Sequence, residues 1–178
     1  MSMTNPDIPS NAANAKHTKR FYGKYRGIVT NPIDAKFLGR VQALVTVGGT
    51  PINVLAEACT PFAGPGVGFY AIPPTGAGVW IEFEEGDLNK AIWTGCWWKP
   101  GEVQLMFTPE PAQPNTLVLR TPTTRFKLDY LTGIAILESL LPPATPGTPN
   151  QIKITPAGIE IKYLNSSIRI GPTGIVQA

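Results

Sequence analysis

At 178 residues and 43% hydrophobic content, the chain can hold one domain of ordinary size, or a small one with an appendage. Its 18 glycines and 19 prolines make about a fifth of the residues, above the globular norm and below the disordered range, as expected for many turns between short strands. No run of about 18 apolar residues marks a membrane span, and no basic start with an apolar core marks a secretory signal. The net charge of +3 divides unevenly: five bases against one acid in residues 1–30, four against eight in 31–110, six against three in 111–178.

Residues 1–20 are polar and aperiodic and read as an arm, flexible or ordered by a partner. From there the apolar pattern has period two almost everywhere, and no helix of convincing length emerges. The first strand is expected at Lys24–Thr30, with a turn at Asn31, Pro32 and Asp34. A long second strand, Leu38–Val47, carries Gly39 near its start as a bulge, and Gly48-Gly49-Thr50-Pro51 closes a hairpin. A third strand follows at Val54–Cys59. Strands at Phe69–Ile72 and Val79–Phe83 flank a Pro73-Pro74-Thr75-Gly76 turn, and Glu85-Gly86-Asp87 leads into Lys90–Trp97. Five or six strands in about 75 residues suit a small barrel, of which the OB-fold is the commonest kind. The barrel is assigned to residues 21–98, and the proline-rich residues 99–115 to a linker or collar. Cys59 and Cys96 sit on or beside strands. Without a signal peptide they read as buried thiols of a protein made in a reducing bacterial cytoplasm, ahead of the alternative of a disulfide.

Residues 116–178 repeat. Ile152-Lys-Ile154, Pro156, Gly158 and Ile159 recur sixteen residues on as Ile168-Arg-Ile170, Pro172, Gly174 and Ile175. Looser copies are Leu117-Val-Leu119, Phe126-Lys-Leu128 and Ile134-Ala-Ile136; a Pro-rich insertion at 138–150 interrupts the series. Each unit is a strand, a turn and a strand, and one such ribbon cannot bury its Ile face alone. Three ribbons around one axis would place Leu117, Leu119, Phe126, Leu128, Ile134, Ile136, Ile152, Ile154, Ile159, Ile161, Ile168, Ile170 and Ile175 inside, with Lys153, Glu160, Lys162 and Arg169 outside. Seven strands at roughly 4.8 Å spacing make a needle of roughly 30 Å.

The sole histidine, His17, lies in the polar arm, where no serine and carboxylate assemble around it, and two cysteines with one distant histidine do not make a zinc set. Glu82 and Glu84 read as the solvent side of a strand, and Glu85-Gly86-Asp87 as turn chemistry, ahead of a carboxylate pair. Gly64-Pro-Gly66-Val-Gly68 lacks the Lys-Ser/Thr of a phosphate loop. Trp80, Trp93, Trp97 and Trp98 could stack bases, but core packing and subunit contact explain them better, and an acidic barrel disfavours nucleic acid. No catalytic residue, cofactor or metal is expected.

The ordered set Tyr25-Arg26-Gly27-Ile28-Val29, Leu38-Gly39-Arg40-Val41, Pro61 to Tyr70, Pro73, Gly76, Val79, Phe83-Glu84, Gly86-Asp87, Gly95 and Trp97 resembles the OB domain of central spike proteins of contractile injection systems. These include phage baseplate assembly protein V and the spikes of type VI and extracellular injection particles. The repeats after residue 115 resemble the C-terminal β-helix of that family. The resemblance implies an all-β chain with an OB barrel and a short intertwined trimeric β-helix. It implies a homotrimer within an assembled particle (a virion or another contractile injection system), beneath a baseplate hub, in transient contact with a target membrane. It further implies a PAAR-type cap protein on the tip, met by Ile175, Val176, Gln177 and Ala178, and a hub met by Phe62, Gly64, Pro65 and Gly66. Two departures stand out: 99–115 leaves no room for a lysozyme domain, and no His-x-His pair exists to hold an apical metal. The rival reading is a monomeric OB module for single-stranded nucleic acid or oligosaccharide, which leaves the Ile/Gly repeat without a purpose.

Overall fold

A computed structural model of the chain describes residues 19–108, 110–141 and 150–177. Most of the N-terminal arm, including His17, the central part of the Pro-rich insertion and Ala178 lie outside the described residues. The chain divides into two compact units, with the boundary between Lys99 and Pro100.

The first unit is a closed barrel. Its strands are β1 (Tyr25–Asn31), β2 (Val41–Val47), β3 (Thr50–Ala58), β6 (Gly78–Phe83) and β7 (Ala91–Trp97), with a minor pair, β4 (Ala63–Gly64) and β5 (Val67–Gly68), between β3 and β6. The closed order is β1-β2-β3-β7-β6. Neighbours are antiparallel except β3 and β7, which run parallel through Glu57↔Ile92 and Ala58↔Trp93. A five-stranded barrel of this kind fits the OB-fold.

Strict alternation is what closes it. Along β2, Val41, Ala43, Val45 and Val47 are buried while the intervening residues face water. They meet Val29, Val54, Ala56, Val79, Ile81, Phe83, Ala91 and Trp93 in one core. Two glycines are fixed by packing. A Cβ on Gly27 would stand 3.0 Å from Ile81, and one on Gly78 would stand 2.6 Å from the Trp97 ring. Indole N–H groups of the ring-bearing strand find carbonyls: Trp93 donates to Gly39 O at 3.1 Å and Trp97 to Val79 O at 3.2 Å.

Three expectations are corrected here. The second strand begins at Val41, not Leu38, because Phe37 and Gly39 hold positive φ (55° and 74°). The Asp34 carboxylate accepts from the backbone N–H groups of Lys36, Leu38 and Arg40 and from the Arg40 guanidinium, and this turn consumes the residues before the strand. The guanidinium foremost, with those N–H groups, holds Asp34 well below the usual carboxylate range. Phe69–Ile72 is not a strand. Pro73 and Pro74 follow and have no N–H for a ladder, and Phe69 instead donates its N–H to Phe62 O across the β4–β5 hairpin. Cys59 and Cys96 are free but exposed, not buried, since Cys59 lies beyond the end of β3 and Cys96 sits where the β6–β7 register shifts.

The second unit opens with a short helix, α1 (Glu102–Phe107), inside the segment expected to be a helix-free collar. Seven strands follow: β8 (Thr116–Arg120), β9 (Thr124–Asp129), β10 (Ile134–Ser139), β11 (Gln151–Thr155), β12 (Gly158–Tyr163), β13 (Ser166–Gly171) and β14 (Gly174–Gln177). They form one open antiparallel sheet in simple chain order. This corrects the expected β-helix: each strand pairs with its sequence neighbours in the same chain, so the protomer itself forms a meander and no helical coil.

Candidate assembly interface

The register of the sheet sorts its residues onto two faces. Leu117 opposes Leu128, which opposes Ala135, which opposes Ile154, then Ile159, Ile170 and Ile175. A second row runs Leu119, Phe126, Leu137, Ile152, Ile161, Ile168 and Gln177. Because side chains alternate along each strand, both rows share one face, and nearly every member is apolar. The result is a strip about two side chains wide that runs across all seven strands.

In the protomer this strip faces water. Ile152, Ile154, Ile159, Ile161, Ile168 and Ile170 are each 38–46% exposed, and Ile175 is 73% exposed. Among the residues expected on it, Phe126, Leu128, Ile134 and Ile136 are partly covered. A contiguous apolar surface of this length is uncommon on a free monomer and marks an interaction site.

Ile134 and Ile136 do not belong to the strip. Ile134 opposes Asp129 and Ile136 opposes Lys127, which puts both on the other face; Ala135 and Leu137 take the inward positions. The Ile-Ala-Ile triplet mimics Ile-Lys-Ile, but pairing with Phe126 and Leu128 sets the opposite phase.

The reverse face is polar and internally satisfied. Lys127, Lys153, Glu160 and Arg169 lie on it in the ladder positions between the apolar rows. Arg169 Nε donates to Glu160 Oε1 at 2.7 Å, and Lys162 Nζ lies 3.7 Å from Glu160 Oε2. The Arg169 hydrogen bond, with the nearby lysines, holds the Glu160 carboxyl below its ordinary value. Nearer β8, Arg125 and Glu138 are both buried and paired with each other. Arg120 Nη1 donates to the carbonyls of Leu105 and Met106 at 2.7 and 3.1 Å. These are carbonyls that the end of α1 leaves without partners. Lys127 pairs with Glu110. Neither the Arg120 clasp nor the Arg125–Glu138 pair was legible in advance, because nothing local in sequence joins residues thirteen to fifteen apart.

The turns keep the strip in phase. Gly158 has φ of 145°, and a Cβ there would stand 2.2 Å from Ile170 O, so only glycine lets β12 leave its turn against β13. Gly133 and Gly174 also hold positive φ, while nothing crowds Gly174. Leu164, at φ of 53°, makes the β12–β13 turn, with its N–H donating to Asn150 Oδ1 at 3.0 Å.

The other residues expected at interfaces fall elsewhere. Ile175, Val176 and Gln177 are exposed on β14, the edge strand of the sheet. Phe62, Gly64, Pro65 and Gly66 are exposed on the β4–β5 hairpin of the barrel. The outer surface of β2 and β3 presents Gln42, Leu44, Thr46, Asn53, Leu55 and Glu57, with no aromatic or cation on which a nucleic-acid strand could stack or pair. Three of the four tryptophans are engaged otherwise: the Arg26 guanidinium lies 4.8 Å from the Trp97 ring centroid and 5.4 Å from that of Trp80, Trp93 is in the core, and Trp98 is exposed. Among the described residues no group of three His, Cys, Asp or Glu side chains could hold a metal ion. Among the same residues no helix is long and apolar enough to cross a membrane.

The first unit is thus an OB-type barrel, and its relationship is specific. Residues 25–98 match the family described as the type VI secretion system/phage-baseplate injector OB domain, so the barrel is a domain of that family. The match supports a baseplate-associated structural role for this barrel. None of the curated proteins matches the chain.

Proposed function

We propose that this protein is the non-enzymatic central spike of a contractile phage tail or phage-like injection particle, built as a homotrimer whose second unit is the membrane-puncturing needle. The observation that carries the reading is the water-facing strip of Ile and Leu across all seven strands, attached to a baseplate-injector barrel. The strip is only two side chains wide, or about 7 Å. Two such strips face to face would leave their flanks wet, whereas three close a prism around an axis. Completing the burial of one half-exposed isoleucine stabilises the assembly by about 1 kcal/mol. The strip's seven isoleucines, with Leu117, Leu119, Phe126, Leu128 and Leu137, together offset the translational and rotational cost of association, which is about 4–15 kcal/mol.

The mechanism is mechanical. Sheath contraction drives the tube and spike outward, and seven hydrogen-bonded strands per chain around a dry core resist bending and carry force to the envelope. Partners in this reading are two further copies, a baseplate hub and a PAAR-type cap at the open edge of β14, with passing contact to the target membrane. The rival reading, an OB module for single-stranded nucleic acid or oligosaccharide, lacks the surface it needs on β2–β3 and leaves the strip unexplained. Chemical crosslinking of the full-length chain tests the two together: the ladder of products should end at three copies, and a labelled single-stranded oligonucleotide should show no saturable binding. Saturable, salt-sensitive binding by an uncrosslinked monomer would select the rival.

A further inference from the structure

The barrel carries an apolar surface of its own. β1, β3 and β7 run in the same direction, so the β1–β2 loop, the β3–β6 connection and the end of β7 all lie at one end of the barrel. The two loops join at their bases: Trp93 Nε1 donates to Gly39 O, Cys59 N donates to Trp93 O at 3.0 Å, and a Cβ on Gly39 would be 3.5 Å from both Ala58 and Ile72. At this end Phe37 is 90% exposed, Ile33 78%, Tyr70 80%, Val67 65% and Phe62 58%. Residues 59–77 contain no charged side chain at all. A solvated loop of that length ordinarily carries charges, and an aromatic, charge-depleted surface is the composition of an interface core.

We infer that this end of the barrel packs against the same end of a second copy of the chain, forming a barrel-to-barrel contact in addition to the contact between sheets. The inference rests on the trimeric reading above. The chain leaves the barrel at this same end, through the exposed Trp98 and the half-buried Lys99, on its way to the second unit. Association of three second units therefore tethers three such ends near one another and raises their effective concentration without new affinity. Residues 59–77 bring no charge to a contact between identical surfaces, while the β1–β2 loop at the same end carries the mutually paired Asp34 and Arg40 and the exposed Lys36, which a contact would have to leave at its rim. The hairpin bearing Phe62, Gly64, Pro65 and Gly66, expected from resemblance to meet the hub, is thereby assigned to a neighbouring copy.

The test uses the full-length chain with Cys59→Ser and Cys96→Ser, carrying either Val67→Cys in the hairpin or Thr46→Cys at the far end of β2. Light scattering first establishes the mass of each variant. In a trimer, oxidation should join Val67→Cys subunits by disulfide at least about tenfold faster than Thr46→Cys subunits, as a tethered contact requires. A trimer in which both variants oxidise alike, with Val67→Cys reacting freely with a maleimide, overturns the barrel contact alone and leaves the surface to a different protein. A monomer would overturn the trimeric reading and this inference together.

Discussion

The barrel and the sheet are built from the same alternating sequence pattern, yet only one of them completes its own core. In the barrel, β1 returns to pair with β6, so every inward side chain has a partner and Val29, Val41, Ala43, Val79 and Ile81 are wholly buried. The sheet has the same alternation but no closure. Its inward isoleucines stay near 40% exposed and its terminal strands keep an open edge. A β-pattern therefore predicts a hydrophobic face reliably, while what covers that face depends on topology. Where the chain does not curl back, the cover must come from other molecules.

The contrast can be broken by substitutions that act on one unit and not the other. All four tryptophans lie between residues 80 and 98, so tryptophan fluorescence reports the barrel alone. Ile161→Asp should have the largest effect. It places a charge in the middle of the strip and should abolish the trimer, leaving monomers or aggregates whose barrel still unfolds cooperatively by tryptophan emission. Ile136→Asp, on the reverse face, should leave the mass unaltered; a heat-resistant trimer from Ile161→Asp would sink the packing account. Ile81→Ala should do the opposite, costing the barrel about 2–5 kcal/mol in denaturant titrations followed by tryptophan emission, with the mass unchanged. Gly158→Ala forces a Cβ into the Ile170 carbonyl at a positive φ and should destabilise the assembly by about 1–3 kcal/mol, read as a lower melting temperature of the trimer.

The smallest expected effect is electrostatic. Glu160 is held below its ordinary value of 4.5 mainly by its hydrogen bond from Arg169. A carboxyl depressed in the folded state contributes stability that is complete above its unfolded value and lost as pH falls through its folded one. The melting temperature of the needle should therefore drop slightly below about pH 4.5, and Glu160→Gln should flatten that drop. Arg169 is 64% exposed, so solvent and salt keep the effect small. An unchanged acid slope in Glu160→Gln would show that another carboxylate is responsible.

Much of this was legible because strand alternation is a local signal. The runs Val41–Val47 and Val79–Phe83 declare their buried faces directly, and the sixteen-residue spacing exposes the later hairpins. The errors have a common physical origin in pairing. Ile134-Ala-Ile136-Leu137 is apolar at four successive positions, so period two fits either phase, and only the partners Phe126 and Leu128 decide between them. The reverse face tolerates Ile136 because it is not fully wet there, with Arg125 and Glu138 buried beside it. The start of β2 was misplaced for a similar reason: the Asp34 carboxylate organises residues up to Arg40, and no propensity encodes that set of bonds. Exposure of the strip could be suspected from sequence, since a lone ribbon cannot bury it. The meander replaced the expected helix because each two-residue turn, such as Pro156-Ala157, returns the chain directly onto its neighbour.

The most direct test of the central claim is the absolute mass of the purified full-length chain in solution, measured by light scattering. The account predicts three times 19.1 kDa, held across dilution. A stable monomer of 19.1 kDa would contradict it, because the Ile strip would then have to remain in water with nothing to cover it.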